Sequence, residues 1–278
     1  MKKNFNNNII ELLSTTRDTA LKKRAQIILQ ELDVKKGDKI LDVGCGDGYY
    51  LHLISTLYKD VTLAGCDFDE RGLASAKKNL KGNKIKLVKG DLMKKLPFPK
   101  NSFNKIVMSE VAEHLPNDLK GLSEVARVLK PGGTICLTVP NTNYPFFWDP
   151  VNWLLEHLAD THIKSGFWAG IWNQHERLYK PEKIRKIMEK AGFKVLKTET
   201  YTFWSLLFNH YLVNLGARIL ARNKNTFLTQ GANKFKSESD DISFLPWIYF
   251  CLSEAVDSLN DVWKPRNVGV SVFVKASK

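Results

Sequence analysis

Residues 41–50 read LDVGCGDGYY and place three glycines, each two residues apart, directly after an apolar run. The preceding letters, DKILDV, are typical of a short buried strand, and the following letters, YYLHLISTLY, are typical of a helix. The glycines therefore lie at a strand-to-helix junction. A backbone without Cβ atoms lets a ligand approach the main chain there, and the helix N-terminus favours electron-rich ligand atoms. The stretch predicts a site for a nucleotide-like cofactor.

The glycine spacing narrows the class of cofactor. Gly44, Gly46 and Gly48 follow the pattern G-x-G-x-G. A nicotinamide dinucleotide site would place the third glycine one residue later, as G-x-G-x-x-G. The spacing therefore argues against a dehydrogenase.

Composition indicates a globular protein with a basic surface. The chain has 278 residues, of which 44% are hydrophobic and 26% charged, which suits one large domain with insertions. Lysine and arginine exceed aspartate and glutamate by 42 to 29, an excess that suits nucleic acid or an anionic membrane surface. Many lysines lie beside turns without interleaved aromatic residues, so we expect a solvated surface and no specific nucleic-acid binding.

The cysteines and the N-terminal segment bear on localisation. No two cysteines have the spacing of a zinc site, and the first residues lack the apolar stretch of a signal peptide. We expect a reduced, cytoplasmic compartment, either free in the cytoplasm or peripheral at the membrane. The four cysteines are Cys45, Cys66, Cys136 and Cys251.

Strand and helix patterns alternate along the first half of the chain. This alternation predicts an α/β fold in which a mostly parallel sheet is covered by helices on both faces. Asp69 is placed to cap the second helix of the alternation, and Pro181 and Gly192 bound a later helix that precedes a strand. The predicted strands lie at 39–43, 61–66, 84–89, 103–108, 133–139 and, at the end, 267–276, and the predicted helices at 8–32, 48–57, 69–80 and 117–130.

Two long stretches interrupt the pattern, at residues 141–175 and 201–265. They are too long for plain connections in a compact α/β domain, and all 7 tryptophans lie within them. We interpret them as an aromatic-rich helical cap that binds the substrate. The core domain is then 1–140 together with 176–200 and 266–278.

Acidic residues follow the predicted strands at the edge where the glycine turn lies. Asp67 closes the second strand, where a carboxylate can accept from both hydroxyls of a ribose. Asp91 ends the third strand, where an acceptor can meet the exocyclic amine of adenine, and Leu92 adds apolar contact. The fourth strand ends in MSEVAEHLP. Consecutive strand ends thus offer a backbone cradle, a ribose acceptor and a purine-edge acceptor.

These motifs together resemble the class I S-adenosylmethionine-dependent methyltransferases, over about residues 22–200 and again at 267–278. The resemblance implies a Rossmann-like seven-stranded sheet of order 3-2-1-4-5-7-6, with the last strand antiparallel and the cofactor at the strand C-termini. It also implies the cofactor-binding residues, which are Asp42, Gly44, Cys45 and Gly46 for the methionine moiety, Asp67 for the ribose, Phe68, Asp91 and Leu92 for the adenine, and Ser109 and Glu110 at the fourth strand. The matching stretches are ILDVGCGDG, GCDFD, GDLMKKLPFPKNSFNKIVMSEVAEHL, EVARVLKPGGTICLTVPN and HERLYKPEKIRKIMEKAGFKV.

Methyl transfer from a sulfonium is an in-line displacement that depends mainly on alignment in a water-poor site. A base is needed only for a hydroxyl acceptor, and His114 and His175 are the candidates, with structural hydrogen bonding as their alternative role. Glu110, Glu113 and His114 resemble the acidic cluster of quinone-pathway O-methyltransferases, which is linked to a divalent metal. The same letters occur in relatives without a metal, so the sequence assigns none.

The aromatic and apolar residues of the insertions indicate a hydrophobic acceptor pocket. We expect a methyltransferase that acts on a hydrophobic small molecule, lipid-linked or prenylated, at oxygen and leaves S-adenosylhomocysteine. Residues 203–236 carry five basic and no acidic residues on an amphipathic pattern, which suits an anionic membrane surface or, alternatively, burial against the core or a second subunit of a homodimer. A soluble methyltransferase with a purely lid-like cap and a non-catalytic S-adenosylmethionine-binding module are the alternative functions. A nucleic-acid methyltransferase is disfavoured because no DPPY-type tetrapeptide follows the fourth strand.

Overall fold

The computed structural model describes residues 2–14, 16, 18–207, 211, 235, 244–263, 265 and 267–278. Within them, a seven-stranded sheet has the order β3-β2-β1-β4-β5-β7-β6. The last strand, β7, runs antiparallel to both of its neighbours, and the remaining pairings are parallel. The predicted topology is confirmed. The strands are β1 (Lys39–Val43), β2 (Thr62–Asp67), β3 (Lys86–Lys89), β4 (Phe103–Ser109), β5 (Leu129–Pro140), β6 (Lys194–Tyr201) and β7 (Ser271–Ser277).

Helices cover both faces of the sheet, because the central strands are apolar on both sides. Along β4, Ile106 and Met108 face one hydrophobic core and Val107 faces the other, as the alternation of side chains along a strand requires. The first core includes residues of α5 and α7, and the second includes residues of α1 to α4. The helices are α1 (Lys2–Leu13), α2 (Thr19–Glu31), α3 (Tyr49–Leu57), α4 (Glu70–Asn79), α5 (Asp118–Val128), α6 (Pro150–Ala159), α7 (Pro181–Lys190) and α8 (Phe244–Val262), with 3₁₀ turns at Ala112–His114 and Phe167–Trp172.

The N-terminal helix differs from its prediction. The single helix expected over 8–32 is two helices, α1 and α2, because Asp18 caps the second: its carboxylate accepts from the Leu21 amide at 3.0 Å. An acid that binds a nearby backbone amide favours a helix start over a helix interior. The predicted cap Asp69 is confirmed, since its side chain accepts from the Arg71 and Gly72 amides at the start of α4.

The fifth strand also begins earlier than predicted. β5 starts at Leu129, which pairs with Phe103, and the register then shifts by a bulge before the regular ladder resumes. The helix predicted over 117–130 therefore ends at Val128, and Pro131 and Gly132 lie within the strand.

The two long insertions lie between β5 and α7 and between β6 and β7. The insertion between β5 and α7 carries α6 and the 3₁₀ turn Phe167–Trp172. The insertion between β6 and β7 carries α8. The amphipathic pattern of residues 203–236 lies almost entirely outside the described residues. No described helix combines the length and apolar character needed to cross a bilayer.

Candidate active site

A cavity of about 510 Å³ lies at the C-terminal edge of the parallel strands. Segments that follow β1, β2, β3 and β4 all contribute to it, because the register of the parallel pairs brings their C-termini to one edge. The lining carries three carboxylates and, among the described residues, no lysine or arginine, so it favours a cationic ligand. The lining residues are Val43, Gly44, Cys66, Asp67, Phe68, Gly90, Asp91, Leu92, Met93, Glu110, Val111, His114, Leu115 and Pro116.

The glycine turn after β1 forms one wall of this site. Gly44 has a φ of +71°, and a Cβ there would lie 2.3 Å from Val111 Cγ2. Gly46 has a φ of +49°, and a Cβ there would meet nothing within 4 Å. Only glycine adopts such a backbone without strain. The turn therefore combines a close approach to the fourth strand end at Gly44 with open space at Gly46.

The amide groups of the turn donate hydrogen bonds to other groups of the protein. The Gly44 and Cys45 amides donate to the Cys66 carbonyl at 2.8 and 3.1 Å, and the Gly46 amide donates to Asp67 Oδ2 at 2.7 Å. These three N–H groups hold the turn against β2. An anionic part of a ligand must therefore find its donor elsewhere.

Two carboxylates stand at the ends of β2 and β3. Asp67 accepts from the Gly46 amide on one oxygen and from the Asp69 amide on the other, at 2.7 and 2.8 Å. Each oxygen keeps a lone pair, so the fixed carboxylate can still accept from two hydroxyls. Asp91 accepts from the Met93 amide at 2.8 Å, which fixes it in the same way. Phe68 is 69% exposed, which leaves its ring free to pack on a ligand.

The end of β4 is held by a half-buried ion pair. Glu110 has a left-handed backbone with a φ of +55°, and its Oε2 lies 3.0 Å from Nη1 of Arg24, a residue of α2. A left-handed non-glycine residue costs about 1–3 kcal/mol and commonly marks a functional site. Burial acts to lower the pKa of the guanidinium, but the charge of Glu110 opposes it and the net shift is upward. The guanidinium of Arg24 is therefore charged.

A second cluster joins the fourth strand end to the first insertion. Glu113, His114 and His175 each offer a ligand atom, and these atoms lie within 4.8 Å of one another. Glu113 Oε1 is 3.7 Å from His114 Nε2 and 3.8 Å from His175 Nε2. Glu113 is fully buried, and neither of its side-chain oxygens has a hydrogen-bond donor among the described residues. Burial, reinforced by the nearby charge of Glu110, raises the pKa of Glu113 well above the usual carboxyl range.

The tautomer of His114 follows from its backbone partner. Its Nδ1 lies 2.9 Å from the Gln174 carbonyl, which can only accept, so Nδ1 carries the proton in the neutral ring. Nε2 then holds a lone pair at the side of the ring that approaches Glu113. A histidine oriented in this way is suited to act as a base or as a metal ligand.

Several contacts bring His175 to this position from far along the chain. The Glu176 amide donates to the Glu113 carbonyl at 3.1 Å, and Tyr179 Oη donates to the Ala112 carbonyl at 3.1 Å. Arg177 donates to the Leu115 carbonyl in the same segment. The residues after the first insertion thus pack directly along the 3₁₀ turn that carries His114.

Comparisons with known proteins agree with this arrangement. A family model described as a methyltransferase domain matches residues 41–137. Demethylmenaquinone methyltransferase of Staphylococcus haemolyticus is 31% identical over 185 residues, which cover 63% of this chain and 76% of the relative. The chain belongs to the class I S-adenosylmethionine-dependent methyltransferases. It therefore uses S-adenosylmethionine as its methyl donor.

Solved structures show the same fold at lower identity. A putative methyltransferase from Bacillus halodurans C-125 has a TM-score of 0.54 at 22% identity and covers 94% of this chain and 98% of that chain. Phosphoethanolamine N-methyltransferase 2 of Haemonchus contortus, solved with S-adenosyl-L-methionine, has a TM-score of 0.56 at 21% identity and covers 92% of this chain and 52% of that chain.

Four residues predicted for the cofactor do not line the methyltransferase cavity. They are Asp42, Cys45, Gly46 and Ser109. Asp42 is buried within β1. The Cys45 sulfur lies against Gly65, and burial raises the pKa of this thiol, so the residue can offer only its backbone to a ligand. Ser109 Oγ lies 3.0 Å from Tyr50 Oη and 2.9 Å from Thr138 Oγ1, within the protein.

The acidic cluster predicted from the sequence also differs in its members from the cluster in the structure. Glu110 was expected beside Glu113 and His114, but it forms an ion pair with Arg24, and His175 occupies the third position of the cluster. Arg24 was missed altogether, because it stands in a helix with several other basic residues and nothing local distinguishes it. Only the spatial contact identifies it.

Proposed function

We propose that this methyltransferase methylates a hydroxyl oxygen of a hydrophobic small molecule. The observation that carries the proposal is the Glu113, His114 and His175 cluster, which adjoins the cofactor cavity through His114. In this proposal Asp67 accepts from the ribose hydroxyls, Asp91 and Leu92 meet the adenine edge and Phe68 covers its face. Their support is the shared cavity and the fixed, accepting carboxylates.

The chemistry follows from the polarity of the acceptor hydroxyl and of the methyl group on the sulfonium. An oxygen lone pair of the acceptor attacks the methyl carbon, the carbon–sulfur bond breaks, and its electron pair stays on sulfur to give S-adenosylhomocysteine. The hydroxyl proton passes to Nε2 of His114 or His175. Deprotonation by a positioned imidazole contributes typically 10²–10⁴-fold to such a reaction. Glu113 Oε1 lies beside both Nε2 atoms, at 3.7 and 3.8 Å.

The same three residues fit a divalent cation as a second candidate. Two imidazole nitrogens and a buried carboxylate without hydrogen-bond donors among the described residues form a donor set typical of transition metals. The bond from His114 Nδ1 to the Gln174 carbonyl supplies the outer contact that orients such a ligand. A bound cation would lower the pKa of the acceptor hydroxyl.

The hydrophobic acceptor is supported by the first insertion. Tyr144, Trp148 and Ile171 form a small apolar core with Leu178, while other side chains of this cap remain exposed. Relatives of the chain are named demethylmenaquinone methyltransferases, which supports a quinone-like, lipid-linked acceptor. We accordingly assign 1–140, 176–200 and 266–278 to the catalytic core, and 141–175 and 201–265 to the substrate-binding cap.

Transfer of label from methyl-labelled S-adenosylmethionine to a lipid extract tests the proposal. Mass spectrometry of the labelled product is expected to show a methyl ether of an apolar molecule. His114→Gln and His175→Gln are each expected to lower the rate at least 100-fold while S-adenosylhomocysteine still binds. A product labelled at carbon or nitrogen would overturn the choice of oxygen.

Chelation distinguishes the two proposed roles of the Glu113, His114 and His175 cluster, which are proton transfer by imidazole and binding of a divalent cation. If a cation is bound, EDTA removes activity, zinc or manganese restores it, and calorimetry with the metal alone gives a binding signal that Glu113→Gln abolishes. If imidazole acts alone, activity is unchanged by EDTA and falls as the bases become protonated at low pH.

We further propose a peripheral contact with an anionic membrane. Leu158 is 82% and Trp168 48% exposed in the first insertion, and the chain has a net charge of +13, features that suit an interfacial surface. Flotation with anionic vesicles should retain the full chain, and Leu158→Glu/Trp168→Glu should release it. Dimer formation by the full chain that the same substitutions abolish would assign this surface to a homodimer instead.

A further inference from the structure

The amino-acid end of the cofactor needs partners that the glycine turn does not supply. S-adenosylmethionine carries a carboxylate and an ammonium at this end. The Gly44, Cys45 and Gly46 amides are committed to the Cys66 carbonyl and to Asp67. The cavity lining described above has carboxylates but no lysine or arginine. A ligand carboxylate in such a site lacks a counter-charge unless a cation stands behind the lining.

Arg24 is a cation that lies behind the lining, next to Glu110. Its side chain is only 15% exposed and reaches Glu110, which lines the cavity, through Nη1 at 3.0 Å. Its Nε is buried and has no acceptor among the described residues. Glu110 is bound through Nη1, so Nε, on the other edge of the guanidinium, takes no part in this ion pair. That edge has the fork geometry that binds a carboxylate with two parallel hydrogen bonds.

Glu110 offers the complementary group. Its Oε2 binds Arg24, while its Oε1 is buried without a hydrogen-bond donor among the described residues. A buried ion pair in which one donor and one acceptor are unused leaves both desolvated at a free-energy cost. A zwitterion satisfies both at once, since its carboxylate accepts from Arg24 and its ammonium donates to Glu110.

We propose that Arg24 binds the carboxylate of the methionine moiety and that Glu110 binds its ammonium. This inference rests on the cofactor site proposed above, and it assigns to α2 a part in cofactor recognition. The left-handed backbone of Glu110 is consistent with this role, because it directs the chain out of β4 at the point where the carboxylate meets α2.

Calorimetry with two ligands tests the assignment. S-adenosylhomocysteine and its decarboxylated analogue share the adenosyl group and the ammonium and differ only in the carboxylate. Wild-type protein should bind the first about 10- to 100-fold more tightly, the range of a charge-assisted hydrogen-bonded pair. Arg24→Met/Glu110→Gln, which leaves no unpaired buried charge, should bind the two equally. Arg24→Lys, which keeps the charge and loses the fork, should retain part of the preference.

Controls distinguish binding from folding. Arg185, whose exposed side chain pairs with Glu189 on α7, provides the matched variant Arg185→Met, and it should keep the full preference. If the double variant does not fold, Arg24→Lys alone decides the question. A full preference in Arg24→Lys, or equal loss of affinity for both ligands, would overturn the inference. If the wild type binds neither ligand, the proposed cofactor site itself fails.

Discussion

Alanine at Gly44 and alanine at Gly46 should have different effects on stability, although the two positions are only two residues apart. Both have positive φ, +71° and +49°, so each alanine costs about 1–2 kcal/mol of backbone strain. At Gly44 the new Cβ also lies 2.3 Å from Val111 Cγ2, and overpacking of this kind typically costs a further 1–3 kcal/mol. We expect Gly44→Ala to lower the free energy of unfolding by about 2–5 kcal/mol, and Gly46→Ala by about 1–2 kcal/mol.

Urea unfolding at neutral pH measures the difference, and a second substitution checks its cause. Removing the methyl groups of Val111 opens the space that the Cβ at position 44 needs. Gly44→Ala/Val111→Ala should therefore be less destabilised than the sum of the two single variants, with a coupling of about 1–2 kcal/mol. Additive effects would refute the steric account and leave backbone strain as the only cause.

Substitution at Gly46 should affect the affinity for S-adenosylhomocysteine more than it affects stability. The family resemblance assigns Gly46 to the methionine moiety although Gly46 does not line the cavity, and a Cβ there would enter open space. Gly46→Ala should therefore fold almost normally yet lose at least 10-fold in affinity for S-adenosylhomocysteine, as expected when a methyl group blocks a fitted ligand. Unchanged affinity in Gly46→Ala, measured by calorimetry, would remove this residue from the site.

The remaining predictions concern two pairs of polar contacts. Asp67→Asn should weaken S-adenosylhomocysteine binding about 10- to 100-fold, whereas Asp69→Ala, which removes only the cap of α4, should cost about 1 kcal/mol of stability and spare binding; equal binding losses in calorimetry would contradict the ribose assignment. Burial acts to raise the pKa of Glu31, but hydrogen bonds from Lys197 and Lys275 lower it below its usual value of 4.5. Because the folded-state pKa is depressed, the stabilisation is present above about pH 4.5 and is lost as pH falls through the folded-state pKa. Glu31→Gln should thus lose about 1 kcal/mol near neutral pH and match the wild type in acid; a difference in unfolding free energy that persists in acid would contradict the pairing.

The sheet could be predicted because its strands carry their signal locally. A parallel strand buried on both faces is a short apolar run, and β1, β2 and β4 have that form. The glycine turn and the acids Asp67 and Asp91 follow these runs directly, so their position at one edge follows from the parallel order alone. The helix cap at Asp69 could likewise be predicted, since an acid before a helical pattern needs no distant partner.

The contacts that the sequence did not yield are all between distant segments. His175 meets His114 only because the residues after the first insertion bind the 3₁₀ turn through the Glu176 amide. The partner of Glu110 comes from α2, which precedes the whole sheet. Neither pairing has a period or a spacing that a linear pattern reveals. The break before α2 was missed although the polar run from Ser14 to Asp18 interrupts the apolar residues, and Asp18 caps the second helix.

Glu110 and Glu113 lie within four consecutive residues, but their side chains meet different partners. Two acids three residues apart on a regular helix would share a face and repel each other. Here the left-handed backbone at Glu110 and the 3₁₀ turn that follows separate them. One carboxylate meets a guanidinium of α2, and the other meets two imidazoles, one of them from the insertion. Each acid thus has its own cationic or titratable partners. In the proposed site Glu110 lies on the side of the cofactor and Glu113 on the side of the cap, so changes to the cap are expected to alter the acceptor without altering the amino-acid end of the cofactor site.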